Sequence, residues 1–442
     1  MPLAFSVAGA LVAMTLTGAL TASKASARPG GSAASQDQGN NARRGLVSQG
    51  KQTFRFDTFG DQTFWGGLLH LNQAIAGAKN GGVGPGLSPK AALSLGLRVD
   101  VDKLPESLQQ AIKDGKVNLN DPAVTLKLLK LDAVIGVKGF FGSNGNLSSV
   151  GIECALCHST VDNSLVPGIG HRLDGWANRD LNVGAIIGFA PNLRPIAKLL
   201  NTSVATVHKV LNAWGPGKFD AELLLDGKAF QPNGNTSAAL IPPAFGLAGV
   251  NLHTYTGWGS IPYWNAFVAV LEMHGHGDFF DSRLNNAQQF PIAAKNGFGH
   301  VVVKHDQVTP KLPGLQAYEL SLKAPTPPKG SFNPAMAAAG KKLFDGAAQC
   351  STCHVPPIFT QPSWNLVTGN QIGISNFEAN RSPTFMYRTT PLAGLWTHQK
   401  GGFYQTGRFQ TLLAVVQHYN KVFHLHLNRA QENDLVQYLL SI

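Results

Sequence analysis

CALCH at residues 154–158 and CSTCH at residues 350–354 contain all four cysteines of this 442-residue chain. In each stretch a histidine directly follows the second cysteine. C-x-x-C-H is the attachment signature of a c-type haem, in which the two thiols bind the haem covalently and the histidine is the proximal iron ligand. The pattern therefore predicts two covalent haems. The attachment residues are Cys154, Cys157, His158, Cys350, Cys353 and His354.

A C-x-x-C pair has three other common uses. It is half of a zinc site, a thioredoxin-like redox motif, or a disulfide in an exported protein. The 192 residues between Cys157 and Cys350 (positions 158–349) argue against one zinc shared by both pairs. None of the three uses explains the repeated histidine. Because no cysteine is left over, a cysteine nucleophile is excluded.

Composition favours modest helices joined by many loops. The chain is long enough for two or three domains. It is 43% hydrophobic and only 14% charged, with 49 glycines and 26 prolines. High glycine and proline contents predict frequent turns. The expected fold is mainly α, with a helical haem domain around each motif and a long loop-rich insert at residues 159–320.

The first 27 residues predict an export signal. Residues 3–14 are apolar, and Ala25-Ser26-Ala27 offers a cleavage site. No Lys or Arg precedes the apolar run, so an uncleaved anchor or a different start remains an alternative. The run is short and broken by polar residues, which argues against a stable membrane span. We expect a periplasmic or otherwise exported protein, in keeping with haem attachment on the oxidising side of a membrane.

The net charge is basic. Formal charge is +11, and removal of residues 1–27 takes away only Lys24, which leaves 11 − 1 = +10. Haem propionates would neutralise part of this excess, since guanidinium forks suit carboxylates. The alternative is an acidic redox partner attracted by a basic surface. No long Lys/Arg run indicates nucleic acid.

Two biased segments divide the chain. Residues 28–53 are rich in Gly, Ser, Asn and Gln and predict a flexible arm, and residues 323–334 predict a Pro-rich linker. Between them lies an N-terminal haem domain with its insert (54–322), and a C-terminal haem domain follows (335–442). Helices are predicted at 57–76, 88–96, 105–112, 121–131, 202–214, 262–273, 335–344 and 429–440.

The C-terminal domain has the helix pair of a cytochrome c. Gly340 and Phe344 precede the second motif, and Tyr438 and Leu439 lie on the closing helix. In a cytochrome c domain the glycine lets the two helix backbones approach closely. We therefore predict that these two helices cross at these residues.

Three further stretches carry a family resemblance: YRTTPLAGLW (387–396), GGFYQTG (401–407) and TLLAVVQHYN (411–420). They resemble the bacterial di-haem cytochrome c peroxidase / MauG-type superfamily, which reads R-T-P-x-L-R, aromatic-x-H-D-G and T-L-x-x-V-V-x-H-Y. The resemblance covers residues 335–442, whereas the first domain matches more loosely. Gln405 and Thr406 replace the family's His-Asp, and the first domain is larger. Both departures favour alternatives to a standard peroxidase.

The resemblance implies a mainly α fold with two cytochrome c-like domains. It implies an oxidoreductase in which one haem meets peroxide or oxygen. The other haem exchanges electrons with a small redox protein or another donor or acceptor. A calcium ion between the domains is typical of the family, although the sequence shows no dedicated calcium loop. Family peroxidases often dimerise, but the oligomeric state cannot be predicted from this sequence.

The sixth iron ligands decide between electron transfer and catalysis. For the second haem, Tyr404 stands where the family carries Met or Tyr, and the alternative is a packed tyrosine bonded elsewhere. Met386 is the next candidate, because Met is the usual sixth ligand of electron-transfer cytochromes c, although Met is more often a core filler. His398 and His418 follow.

For the first haem, His171 is the candidate distal residue. In some family peroxidases a displaceable histidine closes this haem, so His171 is either such a ligand, a distal acid/base, or a surface loop residue. Arg172 and Arg179 would hold propionates or polarise bound peroxide. Residues 273–276 (MHGH) are a distal element, a metal site or plain loop residues.

Tryptophans between the motifs are candidate electron relays, since family enzymes place one between the haems. Packing against porphyrin is the alternative for each of them. The four are Trp176, Trp214, Trp258 and Trp264.

Together these features predict an exported di-haem c-type oxidoreductase of the peroxidase/MauG-like type. A non-catalytic di-haem electron-transfer protein is the alternative. A third hypothesis is a haem sensor or an enzyme that cleaves a bulky organic substrate with oxygen. No motif in the sequence supports it.

Overall fold

The computed structural model describes residues 33–361, 365–398 and 400–442. Contacts divide the chain into two units, Met1–Ala42 and Arg43–Ile442, and the second contains both motifs. The predicted signal segment, residues 1–27, lies outside the described residues. In the part of the chain that is described, no helix is both long and apolar enough to cross a membrane.

Helices make up 44% of the structure, which confirms the prediction of a mainly α fold. The division into two cytochrome c-like domains stays a prediction. The α-helices are α1 (Ala33–Phe56), α2 (Leu71–Ala76), α3 (Pro89–Ser94), α4 (Glu106–Lys113), α5 (Pro122–Lys130), α6 (Ala155–His158), α7 (Val183–Gly188), α8 (Arg194–Leu199), α9 (Val204–Trp214), α10 (Leu223–Asp226), α11 (Ile261–Phe267), α12 (Pro291–Asn296), α13 (Leu312–Ser321), α14 (Pro334–Asp345), α15 (Leu412–Val422) and α16 (Arg429–Ser441).

The strands of the described residues form small two-stranded pairs. One pair is parallel, and the others are antiparallel. The pairs are β1 (Val99–Asp100) with β5 (Ile169–Gly170), β2 (Val137–Phe141) with β3 (Leu147–Ile152), β4 (Ser159–Val161) with β6 (Arg172–Asp174), β7 (Lys218–Phe219) with β8 (Ala239–Leu240), β9 (Phe279–Phe280) with β10 (His300–Val301), and β11 (Leu366–Val367) with β12 (Tyr387–Arg388).

Capping side chains begin several helices where the sequence predicts them. The Ser88 hydroxyl accepts a hydrogen bond from the backbone N–H of Ala91 at the start of α3, and Ser203 does the same at the start of α9. The single helix predicted at 57–76 is interrupted in the structure. His70 has a positive φ of 58° and separates a π-helical turn at Thr63–Leu68 from α2.

The sequence predicted a flexible arm at residues 28–53, but in the structure residues from Ala33 onward form the helix α1. The polar composition suggested disorder, but the end of this helix has packing partners. Gly50 lies against the backbone of Gly314 in α13, and the buried Phe54 ring contacts Tyr318, with ring centroids 5.5 Å apart. Burial of such side chains stabilises a helix that composition alone would not.

The two motifs lie in different parts of the core. Leu156 packs in a mainly aliphatic cluster that extends over α2 to α9, while Ala155 packs in an aromatic cluster with Trp258 and Phe267. The second motif contacts a smaller cluster through Cys350. The first motif therefore joins two large cores, and the second borders a small one.

The predicted crossing of α14 and α16 is confirmed. Gly340 lies directly against the backbone of Asp434 and beside Tyr438, so any larger side chain would collide with the facing helix. The rings of Phe344 and Tyr438 meet edge to face, with centroids 5.1 Å apart. This crossing supports the turn that carries Cys350.

Candidate haem-attachment sites

The first motif forms the short helix α6, with Cys154 at its start. Gly136 has a positive φ of 79° and lies against the backbone of Leu156, so the loop before β2 packs closely on this turn. The Nδ1 atom of His158 lies 3.1 Å from the Pro242 carbonyl oxygen. Burial lowers the pKa of His158 to about 4. The imidazole is therefore neutral and donates through Nδ1–H, which leaves Nε2 free for a metal.

The second motif repeats this arrangement with different surroundings. Residues Cys350–Thr352 form a 3₁₀ turn, and the Nδ1 atom of His354 lies 3.1 Å from the Phe359 carbonyl oxygen. Burial lowers the pKa of His354 as well. Metal-binding histidines usually donate their second ring N–H to such an acceptor, which fixes the tautomer and the ring orientation. Both histidines therefore have the geometry of a proximal ligand.

The four cysteines are free thiols in the structure, with no disulfide within either pair. Burial raises the pKa of Cys157 to about 12 and that of Cys350 to about 11. Among the described residues no group of three or more His, Cys, Asp or Glu side chains is arranged to hold a metal ion. The donor sets suit covalent haem attachment better than zinc.

Two buried arginines have guanidinium nitrogens without a hydrogen-bond partner in the described residues. Arg179 follows Asn178, whose backbone N–H donates to the Cys157 carbonyl oxygen at 2.9 Å. Two guanidinium nitrogens of Arg179, and Nε of Arg388, are buried without a hydrogen-bond partner in the described residues. Burial lowers the pKa of Arg388 to about 10. Unpaired buried cations are costly, and a haem propionate near Arg179 would neutralise one.

His398 belongs to the same neighbourhood. Its ring centroid lies 6.1 Å from that of Phe245, and its Nε2 atom is buried without a partner in the described part of the chain. Burial, and then the charge of Arg179, lower the pKa of His398 to about 3. A neutral imidazole with a free nitrogen is a competent iron ligand or hydrogen-bond acceptor.

The two predicted distal residues of the first haem have other partners. The His171 side chain is 58% exposed, and its Nδ1 atom lies 2.8 Å from Asp102. Arg172 is buried, with Nε 3.0 Å from Asp100, and the charge of Asp174 also acts on it. The position of His171 fits the surface-loop alternative. Arg172 lies near carboxylates, but its guanidinium nitrogens, like two of those of Arg179, are buried without a hydrogen-bond partner in the described residues. Both arginines therefore stay candidates for a propionate.

Tyr404 is the sixth-ligand candidate whose placement fits best. Its ring packs against the core that contains Cys350, and its hydroxyl oxygen is buried without a well-formed hydrogen bond in the described residues. Burial raises the pKa of Tyr404, and the neighbouring Tyr419 adds to this shift. The backbone of Tyr404 has a positive φ of 64°. Such strain in a bulky residue is uncommon and often marks a functional position.

Met386 and His418 are less well placed. The Met386 side chain is exposed at the surface. His418 already contacts the Ile372 carbonyl oxygen through Nε2 at 2.7 Å. Gln405, at the position of the family's histidine, is buried and donates to the Tyr387 hydroxyl at 3.1 Å, so it holds the turn beside Tyr404.

The MHGH segment is not gathered into one site. The His274 ring stacks on Phe64, with centroids 3.7 Å apart, and burial lowers the pKa of His274 to about 4. The Nε2 atom of His276 lies 3.1 Å from the Thr63 hydroxyl, and the Met273 side chain is buried. The segment therefore serves packing, as the loop alternative predicts.

A tryptophan pair stands beside the first motif. Gly175 donates its N–H to the His158 carbonyl oxygen at 2.8 Å, and Trp176 follows directly. The rings of Trp176 and Trp396 meet edge to face, with centroids 5.5 Å apart. Of the four candidate tryptophans, Trp176 thus contacts a residue of the predicted C-terminal domain.

A buried acid cluster escaped the sequence analysis. The Arg381 guanidinium donates two hydrogen bonds to Asp226, at 2.8 and 2.9 Å, and lies 2.9 Å from Asp220. Three more buried carboxyls surround this group, and burial raises the pKa of each. They are Glu222, Glu272 and Glu378. Their spread along the chain leaves no motif to recognise.

Comparisons with known proteins give little guidance. No protein-family model matches the chain, and no curated protein matches it. One similar solved structure is hydrazine synthase from Kuenenia stuttgartiensis. That match covers 47% of this chain and 73% of that chain, at 14% identity and a TM-score of 0.27. A TM-score this low carries no argument about fold or function.

Proposed function

We propose that this chain is an exported di-haem c-type cytochrome, an oxidoreductase of the peroxidase/MauG-like type that passes electrons between two covalent haems. The matched geometry of His158 and His354 carries the proposal. Each histidine directs Nδ1 at a backbone carbonyl oxygen 3.1 Å away. In each motif two cysteines precede the histidine. The sequence resemblance of residues 335–442 supports the same class.

The haems, once attached, would supply one-electron chemistry and a site for peroxide or oxygen. The chain supplies attachment, orientation and charge. Arg179 would pair with a propionate of the first haem. Tyr404 would bind the iron of the second haem, and Trp176 with Trp396 would relay electrons between the two haems. A small redox protein would exchange electrons with the haems, attracted by the basic net charge of the chain.

A non-catalytic electron-transfer protein is the second candidate. The placement of His171 favours it, because a side chain that is 58% exposed and paired with Asp102 is not poised as a distal acid or base. Under this alternative both irons are ligand-saturated.

The two functions differ in their response to hydrogen peroxide. Absorption and EPR spectra of the purified holoprotein, oxidised and half-reduced, would be recorded before and after peroxide is added. A high-spin, five-coordinate signal that peroxide converts to an oxidised species supports the enzyme. Two low-spin signals that peroxide leaves unchanged support the electron carrier.

Tyr404 can be tested with a matched control. We expect Tyr404→Phe to change the absorption spectrum and the reduction potential of one haem, because the hydroxyl oxygen is lost while the ring remains. Met386→Leu should leave both unchanged, since that side chain is exposed. The reverse pattern would make Met386 the ligand.

A further inference from the structure

An apolar cavity lies in the aliphatic core behind the first motif. Its volume is about 60 Å³, and its walls come from α2, α3, α5, the β2–β3 pair and Leu156. The lining side chains are hydrocarbon except that of Thr125. The Thr125 hydroxyl donates to the Leu87 carbonyl oxygen at 2.6 Å and is thus already satisfied.

This lining is unsuited to water. A buried water needs two to four polar partners, and a void of hydrocarbon walls stays dry while it accepts small apolar molecules. An apolar occupant regains the dispersion contacts that the empty walls lack. The volume is several times the minimum of roughly 10–15 Å³ that one water-sized probe requires. Size alone therefore admits a small molecule, and the chemistry of the walls excludes a polar one.

The cavity is distinct from the haem-attachment site. Leu156 lines it, but neither Cys154, Cys157 nor His158 does. An occupant would therefore lie behind α6, and its binding would not depend on an open iron position.

We propose that this cavity is a binding site for one small, uncharged apolar molecule, of the class that includes dioxygen and small hydrocarbons. Hydrogen peroxide, a strong hydrogen-bonding molecule, would be excluded. The inference goes beyond the proposed haem function and does not rest on it, because none of the iron-binding or thiol groups takes part.

Xenon is a suitable probe for an occupant of the size of dioxygen, and benzene is a suitable probe for a small hydrocarbon. A titration of the full-length holoprotein with xenon, followed by xenon-129 NMR, should show saturable binding at one site, and benzene binding would be followed by the shift in melting temperature. Binding of xenon alone indicates a gas-sized occupant, and binding of both indicates a small hydrocarbon. If neither probe binds saturably, the proposal is overturned.

Cavity-filling variants locate the site. Ala92 is buried on α3 and lines the cavity, so Ala92→Leu should weaken probe binding at least tenfold. Ala92→Val is the smaller replacement if the first variant does not fold. Val207→Ile is the control, because Val207 is buried in the same core but does not line the cavity. Unchanged binding in both Ala92 variants would contradict the assignment.

Discussion

The two C-x-x-C-H motifs share one local geometry but are supported by different parts of the chain. His158 finds its carbonyl acceptor 84 residues away, at Pro242, whereas His354 finds its acceptor 5 residues on, at Phe359. The first motif joins two large hydrophobic clusters. In the second, Cys353 is exposed. The histidine of the first site therefore depends on a distant segment for its acceptor, while the histidine of the second takes its acceptor from its own loop.

This contrast suggests that the two haems have different roles. A buried haem is shielded from large partners and suits a small reactant, whereas a haem whose attachment turn reaches the surface suits exchange with a protein partner. Under the proposed function, the second site is the entry or exit for electrons. The following experiments test this difference between the two sites.

The largest effect is expected from the loss of either thiol pair. Cys154→Ser with Cys157→Ser, and separately Cys350→Ser with Cys353→Ser, should each remove one covalent haem, as intact mass and haem content would show. The first pair should also impair folding more, because it lies between two cores. Retention of two covalent haems in either double variant would refute haem attachment at that motif.

Arg381→Met should give the next largest effect. It leaves Asp226 and Asp220 buried without their cation, and breaking a buried pair in this way typically costs about 3–5 kcal/mol. The free energy of unfolding in urea measures this loss. Arg194→Met on the exposed start of α8 is the control and should change it by less than about 0.5 kcal/mol.

The Arg381→Met variant also tests whether the first site depends more strongly on long-range contacts than the second. Glu272, a member of the acid cluster, lies close to Cys157. We therefore expect Arg381→Met to reduce haem attachment at the first motif more than at the second. Equal losses at both motifs would show that the first site does not depend more strongly on long-range contacts.

Rising pH should destabilise the fold through the acid cluster. Burial raises the pKa of Glu222 from 4.5 to about 7 and that of Asp220 from 3.8 to about 6. Between these values the folded chain holds protons that the unfolded chain has lost, so the free energy of unfolding falls as pH rises. Each such proton contributes a slope of about 1.4 kcal/mol per pH unit.

Urea unfolding at intervals from pH 4.5 to 8 would measure this slope. Glu222→Gln should flatten it, because the amide mimics the protonated carboxyl and does not titrate. A Gln variant with an unchanged slope would assign the pH dependence to other groups.

The sequence predicted what depends on local pattern. The capped start of α3, the presence of a helix at α9 and the approach of Gly340 to α16 follow from short-range spacing. The Arg381 cluster, the Pro242 acceptor and the unpaired nitrogen of His398 depend on contacts between distant segments. No spacing rule reveals these, because the side chains meet only after the core has formed.

The smallest effect is expected at the surface, from His171→Ala. The ion pair with Asp102 is exposed on both sides, and such pairs contribute about 0–1 kcal/mol. Urea unfolding should therefore change little, and the haem spectra and the peroxide response should match those of the parent chain. Asp102→Ala is the matched control for the pair. If His171→Ala loses peroxide reactivity and Asp102→Ala does not, His171 takes part in the reaction. A surface residue that only forms an ion pair with Asp102 would not change peroxide reactivity when it is replaced.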